Sequence, residues 1–374
     1  MGSRAILTPP SGSMRAVIAS LLAALSALAP VPAAAENTVS VVGNYYLERS
    51  TRVISPSVAL RAELPQDTDI ELTYLVDNIT SASGTFQATV NDEPFQEFRQ
   101  EVRAAVYKDE LWGFLRLGIS GRYSFEPDYS SVTYGAVASA RFFKDNTTLT
   151  VDVQRQNDAI FARGNNFEDT LDTWRAALRY SQTLTPGLMV GAALETQFLN
   201  GYTENPYRSE EHPRTRDRFT FSTWAAYRIT QTRTTVRAAY RYYWDDWKIA
   251  ANTFDVRVWQ AIHEDLQLIP QIRLTEQSAA NFREQIDRDG VTYRTSDPKL
   301  FAQSNLTLGL RAVWTLSFLE NTFLYAFRRA TLEPRYVFMF QRSVRSLNPL
   351  DILEAPQTAF GDAHIVQLGI CWPF

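Results

Sequence analysis

The residues best placed to do chemistry are arginines and carboxylates set at even spacing. Glu97, Arg99, Glu101 and Arg103 occupy alternate positions, while Arg175 and Arg179, and Arg237 and Arg241, recur at a spacing of four; Asp152 lies in a similar run. Positions of equal parity line one face of a β-strand. Such rows neither make nor break bonds. Facing a narrow column of water, guanidinium groups set a positive potential and attract anions. If the acids compensate them, the same rows become a ladder of ion pairs that stiffens a wall or fills a lumen. The sequence leaves both readings open, and these nine residues are the predicted pore lining.

Bond-making chemistry has fewer candidates. The three histidines are His212 in a charged run, His263 in a turn-like segment and His364 at the start of the last apolar stretch. None stands beside a placed nucleophile or acid, and their spacing is not that of metal ligands. No catalytic residue, metal or cofactor is predicted, and the chain is not read as an enzyme. Acidic and aromatic residues also gather between strands, at Asp77, Asp128, Tyr207, Asp245 and Asp246. Converging carboxylates there could hold Ca²⁺, and tyrosine or tryptophan beside an aspartate could meet a sugar or a lipid headgroup. No EF-hand-like spacing supports a metal, and the plainer reading is a self-packed crown of loops.

The elements that position these residues follow from what lies between them. Val132, Tyr134, Ala136 and Ala138 alternate with Thr133, Gly135, Val137 and Ser139; Val236, Ala238, Tyr240, Tyr242 and Trp244 alternate with Thr235, Arg237, Ala239, Arg241 and Tyr243. Charge is costly against lipid and cheap in a wet lumen, so the charged face must be inward and the apolar face outward. This inverts a soluble sandwich. The pattern predicts a transmembrane antiparallel up-and-down β-barrel of about 16 strands. Connections read as short near 64–67, 108–110, 144–146, 185–187 and 230–232. They read as long near 81–94, 124–130, 159–171, 200–217 and 277–302, the last being the predicted constriction or lid. The apolar segment 317–330 reads as a short periplasmic helix, although a strand pair there would raise the count to 18. A bulge is expected in 218–229, where Trp224 falls on the face opposite Phe219 and Phe221.

Composition agrees. The chain has 374 residues, 37 Lys+Arg against 41 Asp+Glu and a net charge of −4, which leaves no basic excess for nucleic acid. Beyond the N-terminus there is no apolar run of about 20 residues, which argues against membrane helices. Cys371 is the only cysteine, so a disulfide framework is absent. At the N-terminus, Arg15, the apolar run 16–28, Pro30, Pro32 and Ala33-Ala34-Ala35 predict a signal peptide over 1–35, with 1–13 a mis-assigned start before Met14. The barrel domain is then 36–374.

Two resemblances add to this reading. The last strand places His364, Val366, Leu368, Ile370, Trp372 and Phe374 on one parity. It resembles the final strand of Gram-negative outer-membrane barrels, which implies that Trp372 and Phe374 form an assembly signal for the barrel-insertion machinery. The runs 44–53, 74–83, Glu126-Pro127-Asp128-Tyr129, Asn205-Pro206-Tyr207-Arg208 and 242–247 resemble motifs of an uncharacterised family of proteobacterial outer-membrane proteins. That resemblance implies fold and location, a multi-pass barrel in outer-membrane lipid, and no assigned activity. The expected function is a porin-like channel for small hydrophilic solutes with an anionic bias. The alternatives are an exporter for a secreted polymer or polypeptide and a closed structural or binding barrel. No plug segment of about 100 residues precedes the first strand, so energised uptake is not expected. Oligomeric state is open.

Overall fold

A computed structural model describes residues 37–49, 51–81, 95–162, 167–206, 210–282, 286–288 and 291–374. The expected signal segment and Tyr207 lie outside them.

Sixteen strands form one closed antiparallel barrel. In chain order they are β1 (Thr38–Leu47), β2 (Thr51–Leu64), β3 (Thr68–Ser81), β4 (Phe95–Leu111), β5 (Leu115–Glu126), β6 (Tyr129–Phe142), β7 (Thr147–Phe161) and β8 (Glu168–Thr185). Next come β9 (Leu188–Gly201), β10 (Thr215–Ile229), β11 (Thr234–Asp245), β12 (Ala250–Ala261) and β13 (Leu266–Gln277). A small hairpin of β14 (Ile286–Arg288) and β15 (Val291–Tyr293) stands apart from the wall, which resumes with β16 (Gln303–Thr315), β17 (Thr331–Arg342) and β18 (Ala363–Pro373). Each barrel strand pairs with its chain neighbour, and β1 pairs with β18 from Thr38↔Pro373 to Leu47↔His364. Phe374 N–H donates to the Asn37 carbonyl at 2.9 Å, which extends the seam beyond both strands.

Alternation explains the packing. Leu72, Val102, Ile119, Leu178, Leu194, Leu308, Leu310 and Leu368 all project outward and are exposed. Burying a side chain of this size is worth roughly 1.5–3 kcal/mol, so a continuous outer belt of them is stable only against lipid. The tight turns at one end of the barrel carry left-handed backbone at Gln66, Asp67, Phe143, Lys144, Asp145 and Arg233. This is the turn end, and it also holds residues 38 and 373; the opposite end is the loop end.

Several expectations need correction. The connection near 124–130 is not long: Pro127 and Asp128 alone join β5 to β6, because Glu126 already pairs with Tyr129. Between β7 and β8 only residues 162–167 intervene. The segment 343–362, which carries the short helix α1 (Pro349–Glu354), is a long loop that the sequence pattern did not single out. Segment 317–330 is neither a regular α-helix nor a strand pair. It holds two 3-10 turns, Ser317–Asn321 and Tyr325–Phe327, and the strand count stays at sixteen. Its rings lie against outward-facing tryptophans, Phe318 on Trp314 at 5.3 Å and Phe327 on Trp372 at 5.1 Å.

Strand β10 contains no bulge, since its register runs unbroken from Arg218↔Asp245 to Ile229↔Thr234. Trp224 simply faces the lumen, opposite Gly191 and Ala239. A Cβ on Gly191 would lie 2.4 Å from Trp224 Cε2, so glycine makes the room for an inward indole. The register shifts fall instead between Lys108 and Leu111 and between Thr183 and Thr185.

Candidate functional site: an arginine stripe and a loop-capped cavity

Register settles which charged residues face the lumen. Asp77↔Arg99, Leu75↔Glu101 and Thr73↔Arg103 place Glu97, Arg99, Glu101 and Arg103 inward on β4. Gln154↔Arg175 and Ala177↔Glu195 place Arg175 and Arg179 inward on β8; Asp152 shares that face on β7. Arg237↔Arg257 and Arg241↔Thr253 do the same for β11. All nine predicted lining residues therefore face the lumen.

They are not alike, because the wall divides into arcs. On β2 to β5 the arginines are compensated. Asp69 meets Arg61 at 2.9 Å and Arg116 at 3.0 Å, and Asp109 meets Arg116 at 3.0 Å. Asp77 pairs with Arg99, which also faces Glu126 at 3.9 Å. Glu101 stands between Arg103 at 3.6 Å and Arg122 at 3.4 Å. On β12 and β13, Asp255 takes Arg257 at 3.0 Å and Arg273 at 2.9 Å.

Between these arcs lie β8 to β11. There, among the described residues, Arg175, Arg218, Arg237 and Arg241 have no carboxylate within 4.0 Å. Arg218 Nη1 donates to Gln197 Oε1 at 2.9 Å, Arg241 Nη2 to Thr220 Oγ1 at 3.4 Å, and Arg237 lies over the Trp224 ring at 5.0 Å. Arg179 reaches Glu195 at 3.8 Å, a loose pair with both side chains largely exposed. Arg218, Arg241 and Arg237 thus descend the wall from the loop end toward the turn end. Arg241 and Arg237 are roughly 14 Å apart at about 3.4 Å per residue. Paired charges cancel within a Debye length, about 8 Å at physiological salt, whereas the four arginines of this stripe have no carboxylate in direct contact.

At the top of the stripe the described residues of three connections, 202–214, 245–250 and 278–302, fold together. Trp247, Ile249, Ala280, Phe282 and Leu300 form a buried cluster, with Phe282 edge-on to Trp247 at 5.0 Å. Lumen-facing Arg216 ties this cap to the wall. Its guanidinium donates to Asp245 Oδ2 at 2.6 Å and lies over Trp247 at 4.1 Å. Asp245 also accepts from Tyr243 at 2.7 Å and from the Ile249 N–H at 2.8 Å. Asp245 is therefore a buried anchor for the loops. At Asp246 beside it burial, with the charges of Asp217 and Asp245 nearby, pushes the carboxyl above the ordinary range. Gly201 permits the turn into 202–214: its φ is +137°, and a Cβ would sit 2.2 Å from the Thr170 carbonyl.

Beneath the cap is a cavity of about 350 Å³ lined by Arg216, Arg218, Tyr243, Gln277, His212 and Lys299 among others. The predicted constriction loop thus rests on the β9–β13 side of the mouth. Tyr202, on the same cap, is pushed up to about 12 by burial and then by the negative charge of Glu204.

The acidic residues at the loop end are distributed differently from the expectation. Asp77 belongs to the Arg99 pair. Asp128 joins Glu97 and Glu126, and one carboxylate oxygen from each lies within 4.8 Å of the other two. The sequence pattern assigns Glu97 only to the pore lining, and its approach to Asp128 is visible only once β4 and β5 are in register. His212 and His364 are at the loop end and His263 is at the turn end, so the three histidines do not converge; His364 shares a 2.9 Å hydrogen bond with the exposed Tyr336 hydroxyl. At the other end Trp372 donates from Nε1 to the Ala326 carbonyl at 3.0 Å and packs on Phe374 at 5.8 Å.

A closed 16-stranded barrel with an apolar exterior and a charged interior defines a porin-like barrel of the outer-membrane type. The family described as a protein of unknown function, DUF3570, matches residues 25–186 and 165–326, and the chain belongs to it. No curated sequence matches the chain. In fold it is similar to a bacterial polysaccharide outer-membrane secretin, at TM-score 0.52 and 8% identity over 91% of this chain and 98% of the other. It is also similar to CdiB from Acinetobacter baumannii, at TM-score 0.53 and 8% identity, covering 90% of this chain but 60% of that one. OccD3 (OpdP) of Pseudomonas aeruginosa matches at TM-score 0.49 and 10% identity over 91% of both chains.

Proposed function

We propose that the protein is an outer-membrane diffusion channel for small hydrophilic solutes that favours anions. The observation that carries this reading is the unpaired arginine stripe on β8 to β11, Arg175, Arg218, Arg241 and Arg237, spread along the height of the wall between two ion-paired arcs. An anion moving beside it passes from one guanidinium to the next without meeting a carboxylate within 4.0 Å of any of the four. The residues of the compensated arcs brace the wall and contribute little net field. In this reading residues 1–35 direct export, and Trp372 and Phe374 present the last strand to the insertion machinery.

Planar-bilayer recording of the refolded full chain tests the channel. Stable conductance steps are expected, with a reversal potential in a salt gradient that reports anion preference. Silence across salts sinks the channel, and cation preference sinks the role given to the stripe.

A further inference from the structure

The cavity under the loop cap has features that a channel wall alone does not require. Two of its lining groups are left with unmet hydrogen-bonding capacity. His212 is 5% exposed, and its Nε2 is buried without a hydrogen-bond partner. Its Nδ1 lies 3.2 Å from the Thr203 carbonyl, which can only accept, so Nδ1 carries a proton, and in the tautomer with that single proton Nε2 is an acceptor. Glu210 Oε2 is 3.8 Å away, beyond a hydrogen bond. Arg218 is the second such group. Its Nε is buried and unpartnered, and its Nη1 donates to the neutral Gln197. Lys299 adds a second cation to the lining, and Asp297 adds one carboxylate, whose Oδ1 accepts from the Lys299 N–H at 3.0 Å.

Arg216 does not compete for this role, because Asp245 already neutralises it. Arg218 has no carboxylate in direct contact, and leaving its buried Nε without a partner is costly unless something else supplies one. The loops that enclose the cavity are meanwhile fixed by their own apolar cluster, so the site is pre-organised.

We infer that this cavity is a binding site for a small anion that also carries a hydroxyl group, of the hydrogen-phosphate or hydroxycarboxylate class. The anionic oxygens are met by Arg218 and Lys299, and the hydroxyl donates to His212 Nε2. Trp247, Ile249 and Leu300 supply an apolar side suited to a short carbon skeleton. Its role as the first station of the arginine stripe rests on the channel reading; the binding itself does not.

Isothermal titration of the refolded full chain at fixed ionic strength tests it, with inorganic phosphate and lactate as probes and chloride as the reference. Saturable binding of phosphate or lactate, and not of chloride, is expected, and the stronger of the two identifies the source. Arg218→Gln removes a charge-assisted contact and is expected to weaken binding about tenfold, equivalent to about 1.4 kcal/mol. Lys299→Gln, on a loop outside the barrel wall, weakens it in the same direction and guards against misfolding of the first variant. Arg233→Gln, in a turn at the far end, leaves binding unchanged. Absence of saturable heat with both probes overturns the proposal, as does equal binding by wild type and both cavity variants. Retained binding with a silent bilayer separates failure of the channel from failure of the site.

Discussion

Arg241 and Arg237 illustrate what single side chains decide in this wall. Each is an unpaired charge on the proposed anion path, and a unit charge contributes about 1 kcal/mol to an ion passing about 4 Å away in water. Arg241→Glu is expected to lower the anion-to-cation permeability ratio by at least about fivefold, read as a shift in reversal potential. Arg103→Gln, in the compensated arc, is expected to move it little. The spacing of these arginines was plain in the sequence, but their difference was not. Both rows read as Arg beside acid, and only the register across strands shows that Glu101 serves Arg103 and Arg122 while nothing of opposite charge reaches Arg241. Gly191 makes a similar point about space. A valine there must displace the Trp224 indole, and overpacking of this kind costs about 1–3 kcal/mol. Gly191→Val is therefore expected to lower the unfolding temperature of the barrel, followed by its gel-mobility shift on heating.

Elements were legible in proportion to their periodicity. Sixteen strands and their inward faces follow from alternation, because lipid outside and water inside impose opposite costs on neighbouring residues. Pro127 and Asp128 suggested a loop, yet two residues suffice for a reversal there. The loop cap was not legible, since Trp247 comes from one connection and Phe282 and Leu300 from another, and the two meet only once the barrel is closed. Segment 316–330 was ambiguous because its apolar residues serve neither a core nor a strand face.

That segment packs on the outward Trp314 and Trp372 and leaves Phe323 96% and Phe318 58% exposed, beside Arg328 and Arg329. It is expected to lie in the headgroup layer as an interfacial foot. A nitroxide on Phe323→Cys, in a Cys371→Ala background, should report headgroup depth in lipid vesicles; free aqueous mobility there refutes the assignment.

At the other end Asp362 holds the 343–362 loop. Burial raises its carboxyl, but the Arg342 guanidinium, the Gln341 N–H at 3.2 Å and Gln357 Nε2 at 3.0 Å outweigh this and bring it below the ordinary range. A depressed carboxylate stabilises the folded loop above its unfolded pKa and loses that contribution as pH falls through the folded value. Protease nicking in 343–362 should therefore rise only in strong acid, and Asp362→Asn should nick faster at neutral pH and respond less to acid.

For the whole molecule the decisive feature is closure. Every barrel strand pairs with the next barrel strand along the chain, and the ring is completed at the seam, where β1 meets β18. Such long-range pairing makes folding slow and dependent on the last strand. The Asn37–Phe374 hydrogen bond has a separate consequence. The two ends of the barrel touch, and strand order around the wall is otherwise a simple cycle, so the molecule is a ring whose single covalent cut happens to fall between β18 and β1. Joining residue 374 to residue 37 through a short linker, and opening the chain at the exposed turn near Gln231, should return the same closed wall with its strands renumbered.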